Sequence, residues 1–287
     1  MSRKIAVQIS AFLAAIMIGC FAIGALITGP APSAVGTLSI DFPVESVQIP
    51  TNNDTKTHGW LIYGEPGAGV ILLVHSMRSN RLEMLSRARF LHQQGYSTLL
   101  IDLHAHGETP GERITFGLRE SENIDVAINF LRTTFPNERI GAIGTSLGAA
   151  AIVLAKQPLN LNAVVLESLH PTIEEAVENR LKLHFGKYAS SFLPMLLFQL
   201  TFFLDTTTDQ LSPINRISQL DVPLLMISGT SDEHTTQAET ERLFAAARGP
   251  KELWVVPGAR HFNMHTYAGR EYEHRVSDFL YHYLQRK

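Results

Sequence analysis

The segment Gly144-Thr145-Ser146-Leu147-Gly148 constrains this chain more than any other. It follows the apolar run Ile140-Gly141-Ala142-Ile143 and precedes a small-residue run from Ala149 to Lys156 with strong helical propensity. A strand, a sharp turn and a helix in immediate succession leave no space where strand and helix cross. Glycines two before and two after the serine remove the Cβ atoms that would collide there. Ser146 is thereby predicted to sit in a strained turn with its hydroxyl clear of the sheet. The helix N-terminus then aims free N–H groups at any oxygen reacting there. This is the context a nucleophile elbow needs.

The rest of the pattern supplies the sheet. Residues 44–50 and 58–63 alternate in polarity around the polar turn 51–54 and predict an antiparallel hairpin. Buried-type strands are then predicted at 70–74, 98–101, 140–143, 163–166, 224–227 and 253–256. Helical patterns fall at 81–94, 118–133, 239–247 and 276–284. Strands buried on both faces and alternating with helices specify an α/β fold with a mainly parallel sheet. Residues 170–212 interrupt the alternation with a helical insert, densest in apolar side chains over 192–204. In an open α/β sheet the site lies beyond the carboxyl ends of the strands, so an insert leaving one of them is placed to cap it. Phe192, Phe198 and Phe202 are therefore expected to line an apolar acyl pocket, against the plainer alternative of a helix packed on the sheet.

The N-terminus bears on compartment. Arg3 and Lys4 precede residues 5–27, which carry no charge. As a helix these residues rise about 34 Å, enough for a bilayer core of about 30 Å. Positive residues on the short side keep that end in the cytoplasm, which places the rest of the chain outside. An uncleaved single-pass anchor over residues 1–28 is the favoured reading. A signal peptide cleaved before Ala34, giving a periplasmic or secreted protein, and a lipoprotein site at Cys20 are the alternatives. Residues 29–40 hold Gly29, Pro30, Pro32 and Gly36 and read as a linker, with the folded domain spanning 41–287. A chain beginning at Ser39 is then expected to be soluble and active. Net charge is −3, from 24 basic and 27 acidic side chains, with no basic stripe for nucleic acid. The single cysteine, Cys20, excludes an internal disulfide.

A serine hydroxyl needs a base, and the base needs an orienting acid. His261 lies in the loop directly after the last predicted strand, with His265 as its rival. Asp232 lies just past the strand 224–227, and Glu167, at another strand end, is the rival acid. Oxyanion donors are expected from the N–H of Leu147 and from the loop after strand 70–74, with Met77 favoured over Ser76. His75, at the start of that loop, reads as a hydrogen-bonded histidine bordering the substrate. His104 and His106 share a face, but no further ligand follows at metal spacing, and no metal is assigned.

Together these segments resemble the α/β-hydrolase superfamily, and within it the Bem46-like or YfhR-like serine hydrolases, related to prolyl-oligopeptidase-type peptidases. The resemblance runs from about Val44 to Leu284. It rests on the His75 loop, Asp102-Leu103-His104-Ala105-His106-Gly107-Glu108, the turn at Ser146, Leu166-Glu167-Ser168, Gly229 to Asp232, and Gly258-Ala259-Arg260-His261. Three positions depart from it. Ser76 stands where the family usually has Gly, His104-Ala105-His106-Gly107 where it has Arg-Gly-His-Gly, and His234-Thr235-Thr236 where Val-Pro often follows the acid. The resemblance implies an eight-stranded, mostly parallel sheet and no cofactor. The expected activity is hydrolysis of carboxylic esters by Ser146, Asp232 and His261, on small-molecule acyl substrates that extend to lipid-like ones. A serine peptidase, an acyltransferase and a non-enzymatic membrane-tethered binding module are the alternatives.

Overall fold

Continuous apolar runs become central strands here because helices cover both faces of the sheet. The computed structural model describes residues 3–36, 43–51, 55–156, 158–261 and 263–285. The expected domain start at Asp41 and turn residues 52–54 lie outside the described residues. In chain order the elements are α1 (Arg3–Thr28), β1 (Ala31–Pro32), β2 (Glu45–Pro50), β3 (Lys56–Ile62), β4 (Val70–Val74), α2 (Leu85–Gln93), β5 (Ser97–Ile101) and β6 (His106–Gly107). There follow α3 (Glu120–Thr134), β7 (Ile140–Thr145), α4 (Leu147–Leu154), β8 (Ala163–Glu167), α5 (Ile173–Phe185) and α6 (Leu193–Leu204). The chain closes with β9 (Leu224–Gly229), α7 (Gln237–Ala246), β10 (Lys251–Val256), α8 (Met264–Ala268) and α9 (Arg270–Leu284).

Eight strands form one sheet in the order β10-β9-β8-β7-β4-β5-β3-β2. β3 runs antiparallel to both neighbours, and the remaining pairs are parallel. The pleat of β4 shows how the cores are divided. Val70, Leu72 and Val74 enter a core with α3, α4 and α7, while Ile71 and Leu73 enter a second with α2 and α9. The fold is therefore an α/β-hydrolase sheet with helices on both faces.

Two segments depart from expectation. Residues 31–35 are not a bare linker. β1 pairs in parallel with β6, Ala31 and Ser33 N–H donate to Ala105 and Gly107 O at 2.8 and 2.9 Å, and Val35 is buried. Two-residue backbone pairing across such a sequence separation leaves no side-chain period to read. The long apolar helix α1 is also more than a tether. Within it Ser10–Thr28 has mean hydropathy 2.4, long and apolar enough to cross a membrane by length and composition. Its last two and a half turns, from Cys20, pack into the domain. Cys20 is buried against Leu181, Ala189 and Leu196, and the Phe21 ring meets Phe203 edge-on at 5.8 Å.

Between β8 and β9 the insert folds into α5, α6 and short 3₁₀ turns. Thr172 caps α5 by accepting from the Glu175 N–H, and Glu174 and Glu175 occupy its first turn, where they favour the helix dipole. This insert lies across the carboxyl end of the sheet.

Candidate active site

Ser146 stands between β7 and α4 with φ +50° and ψ −107°, a backbone region that L-residues rarely adopt. Its N–H donates to Glu167 O at 2.8 Å, which ties the turn to the end of β8. The flanking glycines are sterically required. A Cβ on Gly148 would lie 2.5 Å from Val74 O and 2.7 Å from His75 O, and one on Gly144 would lie 2.7 Å from Ala149 N. Neither position can move without separating α4 from the sheet.

The acid and the base come from the loops after β9 and β10, and those loops are bonded to each other. Thr230 and Ser231 N–H donate to Val256 and Ala259 O at 3.0 and 2.9 Å, and Gly258 N–H donates to Thr230 Oγ1 at 2.7 Å. The result is a short chain of contacts. His261 Nδ1 lies 2.9 Å from Asp232 Oδ2, and His261 Nε2 lies 3.1 Å from Ser146 Oγ. Asp232 Oδ1 accepts the His234 and Thr235 N–H groups, both at 2.9 Å. Burial pushes the Asp232 carboxyl up. The hydrogen bond and charge of His261, with those two N–H groups, outweigh burial and hold it below its ordinary value. An ionised Asp232 makes Nδ1 the protonated nitrogen and leaves Nε2 to accept from Ser146.

The loop after β4 separates the two oxyanion candidates. Ser76 N–H and Oγ both donate to Glu83 Oε2, at 3.0 and 2.7 Å. The N–H groups of Met77 and Leu147 have no acceptor among the described residues, and both residues line the same cavity as Ser146.

The rival residues sit elsewhere. Glu167 is fully buried and accepts from Arg87 Nε at 3.0 Å, Arg87 Nη2 at 2.5 Å and Tyr272 Oη at 2.6 Å. It neutralises a buried guanidinium rather than orienting His261. Glu167→Ala leaves the buried Arg87 without its counter-charge, and is expected to cost about 3–5 kcal/mol of stability. Chemical denaturation checks this. His265 lies between Ser86 Oγ at 3.0 Å and Glu273 Oε1 at 2.9 Å, packed on Phe90 and Tyr272. His75, expected to border the substrate, does not line the cavity at Ser146. It is fully buried, donates from Nδ1 to Ser76 O at 2.7 Å and accepts the Leu103 N–H at Nε2, 3.0 Å away. His106 bonds the backbone O of His104 through Nδ1, and its ring packs against His75.

The three phenylalanines assigned to the pocket are also corrected. Phe198 and Phe202 are 65% and 67% exposed on the outer face of α6, and Phe192 borders an adjoining groove beside α1 that shares Ile23, Leu181 and Leu196 with the cavity at Ser146. α6 turns Leu196, Leu200 and Leu204 inward instead. An apolar run gives no period by which to tell its inner face from its outer one.

The cavity at Ser146 measures about 250 Å³. Ile173, Val177 and Leu181 of α5, Leu196 of α6, and Ile23 and Ile27 of α1 supply its apolar wall. The ionisable side chains lining it are Arg78, His170, Arg180 and His184, all basic. His170 is buried, and its Nε2 has no hydrogen-bond partner among the described residues. Burial, with Arg180 and His261 nearby, lowers its pKa to about 3, so it is neutral at ordinary pH. His234, one of the departures from the family pattern, stacks on His261 with ring centroids 4.8 Å apart and planes 16° apart. Burial first, then Arg180 and His261, brings His234 down to about 4, so it adds no charge against an imidazolium at His261. Sequence reasoning missed Arg180, Ile23 and Ile27, because only tertiary packing brings α1 and α5 to the serine, and it missed His170 in the loop after β8.

The sheet order, the turn at Ser146 and the covering insert define an α/β-hydrolase. Residues 65–214, more than half of the chain, match the family model for serine aminopeptidase, S33, and the chain belongs to that family. It is 24% identical to YqkD of Bacillus subtilis over 237 residues, 81% of this chain and 77% of that one. Against YfhR of Escherichia coli K12 the identity is 22% over 248 residues, 83% of this chain and 81% of that one. Among solved structures, the Pyrococcus furiosus esterase Pf2001 superposes with a TM-score of 0.74 at 22% identity, covering 90% of this chain and 98% of the esterase.

Proposed function

We propose that this hydrolase cleaves carboxylic esters of apolar acyl groups, lipid-like chains included, through an acyl-enzyme on Ser146. His261 takes the serine proton as Oγ attacks the carbonyl, then gives it to the leaving alcohol. Asp232 holds His261 in the working tautomer, and the N–H groups of Leu147 and Met77 hold the oxyanion. Water activated by the same His261 then releases the acid. No cofactor takes part in these steps.

The observation that carries the ester reading is the lining of the cavity. The family description names an aminopeptidase, and an enzyme that selects a protonated amino terminus needs carboxylates where that group sits. This cavity has an apolar wall, and its ionisable residues are all basic. That lining suits an uncharged acyl chain and opposes an ammonium group.

The same reading keeps α1 as an uncleaved anchor with the catalytic domain on the outer side, seated so close to the bilayer that the docked turns from Cys20 onward still count toward the span, because residues 5–19 alone rise only about 22 Å. Cleavage before Ala34 would remove Ile23, Ile27 and β1, all of which pack on the domain. Fractionated cells are expected to hold the protein in the membrane pellet against high salt and carbonate. A soluble form starting near Ala34 would overturn this part. For the reaction, the full chain in detergent is offered p-nitrophenyl esters of graded chain length and aminoacyl p-nitroanilides. Ester kcat/KM should rise about tenfold per two methylenes until the cavity is full, at about 0.8 kcal/mol per buried methylene. Preference for aminoacyl anilides would establish the peptidase instead.

A further inference from the structure

Helix α1 ends where the oxyanion loop begins. Arg78 follows Met77 with φ +57°. Its Nη2 donates to the carbonyl of Leu26, and lies 3.3 Å from those of Ile27 and Gly29. The first two are C-terminal carbonyls of α1 that no further helical turn satisfies, the third follows the helix directly, and a guanidinium is the charge that end of a helix favours. The same end is fixed from a second side. Ile114 N–H donates to Thr28 O at 2.8 Å, Arg113 Nη1 donates to Thr28 Oγ1 at 3.1 Å, and the Arg113 guanidinium lies 4.7 Å from the centre of the Phe203 ring. Gly24 faces Gln199 of α6 so closely that a Cβ there would lie 2.6 Å from Gln199 Oε1. Thus docked, α1 presents Ile23 and Ile27, one turn apart on one face, to the cavity that holds Ser146. Ile27 is 37% exposed there.

Resting on the ester-hydrolase reading above, we infer that α1 is a working part of the active site. Its last turns form one wall of the acyl subsite, and through Arg78 they hold the oxyanion loop in place. The acyl chain lies along Ile23 and Ile27, in the cleft between α1 and α5. Ile23 and Ile27 are specificity-determining residues, and Arg78 is a positioning residue that acts through Met77. The expectation that a chain starting at Ser39 stays active is reversed, because such a chain lacks both the wall and the carbonyls that Arg78 binds.

The test uses the full chain in detergent, with acetyl to dodecanoyl p-nitrophenyl esters, fluorophosphonate labelling and thermal melting of each variant. Ile27→Trp fills the subsite, and kcat/KM on long chains should fall about tenfold for every two methylenes displaced, with a far smaller loss on the acetyl ester. Ile27→Ala enlarges it and should move the optimum to longer chains. Arg78→Ala should leave the chain-length profile unchanged and lower kcat on every ester, acetyl included, by about tenfold to a hundredfold with KM nearly constant. That is short of the roughly 10²–10³ expected for losing an oxyanion donor outright. An unchanged chain-length profile in both Ile27 variants, or an unchanged kcat in Arg78→Ala, overturns the inference while the hydrolase reading stands. An unaltered chain that neither labels nor cleaves any ester overturns both.

Discussion

Ser146→Ala is expected to abolish fluorophosphonate labelling and to lower ester turnover by about 10⁶, by analogy with other serine triads. The reason is local. In the proposed mechanism Ser146 Oγ is the atom that becomes bonded to the acyl group, and it lies 3.1 Å from the nitrogen that takes its proton. The fold should survive, because the substitution removes one oxygen from a turn held by backbone bonds. Ser146 N–H still reaches Glu167 O at 2.8 Å, and Ser146 O still accepts the Ala150 N–H at 3.0 Å. The strained φ of +50° is present with either side chain. His261→Ala should cost nearly as much, since the two residues act as a unit. Labelling of Ser146→Ala at the level of the unaltered chain would remove Ser146 from the mechanism.

The parts of the fold legible in the sequence are those with a strong local signal. β4 reads as a strand because five consecutive apolar residues serve two cores at once. The turn at Ser146 reads because two glycines at fixed offsets answer two clashes, with α4's own backbone at Gly144 and with the end of β4 at Gly148. Asp232 and His261 were legible as residues at strand ends. Their mutual approach depends on hydrogen bonds between two loops that no local pattern encodes. The wall of the cavity at Ser146 is misread from sequence for a related reason. α6 is apolar on every side, so Phe198 looks as inward as Leu200 until α5 and α1 are placed around it. The role of Arg87 was hidden in the same way, since its partners Glu167 and Tyr272 lie 80 and 185 positions away. α1 was legible as long and apolar, and that property hid its other one. A helix read as a membrane span gives no sign that its last turns also pack on a catalytic domain.

Asp232→Asn is expected to lower kcat by about 10⁴ while leaving substrate binding nearly unchanged. The surrounding hydrogen bonds decide how the new amide sits. Oδ1 accepts two backbone N–H groups, from His234 and Thr235, each at 2.9 Å. The carbonyl oxygen of an asparagine must take that place, since an NH₂ group there would face two donors. Its NH₂ is then left facing His261 Nδ1, where Asp232 Oδ2 lies at 2.9 Å. A donor at that position forces Nδ1 to accept, and the ring proton moves to Nε2. Nε2 is the nitrogen that must accept from Ser146 Oγ. The variant thus holds its base in the wrong tautomer with every heavy atom in place. Glu167→Gln serves as the control, because Glu167 is bound to Arg87 and Tyr272 rather than to His261. Its effect should fall on stability, with kcat far less affected than in Asp232→Asn. Steady-state kinetics on one ester separates the two outcomes, and a kcat that falls more in Glu167→Gln than in Asp232→Asn would make Glu167 the orienting acid.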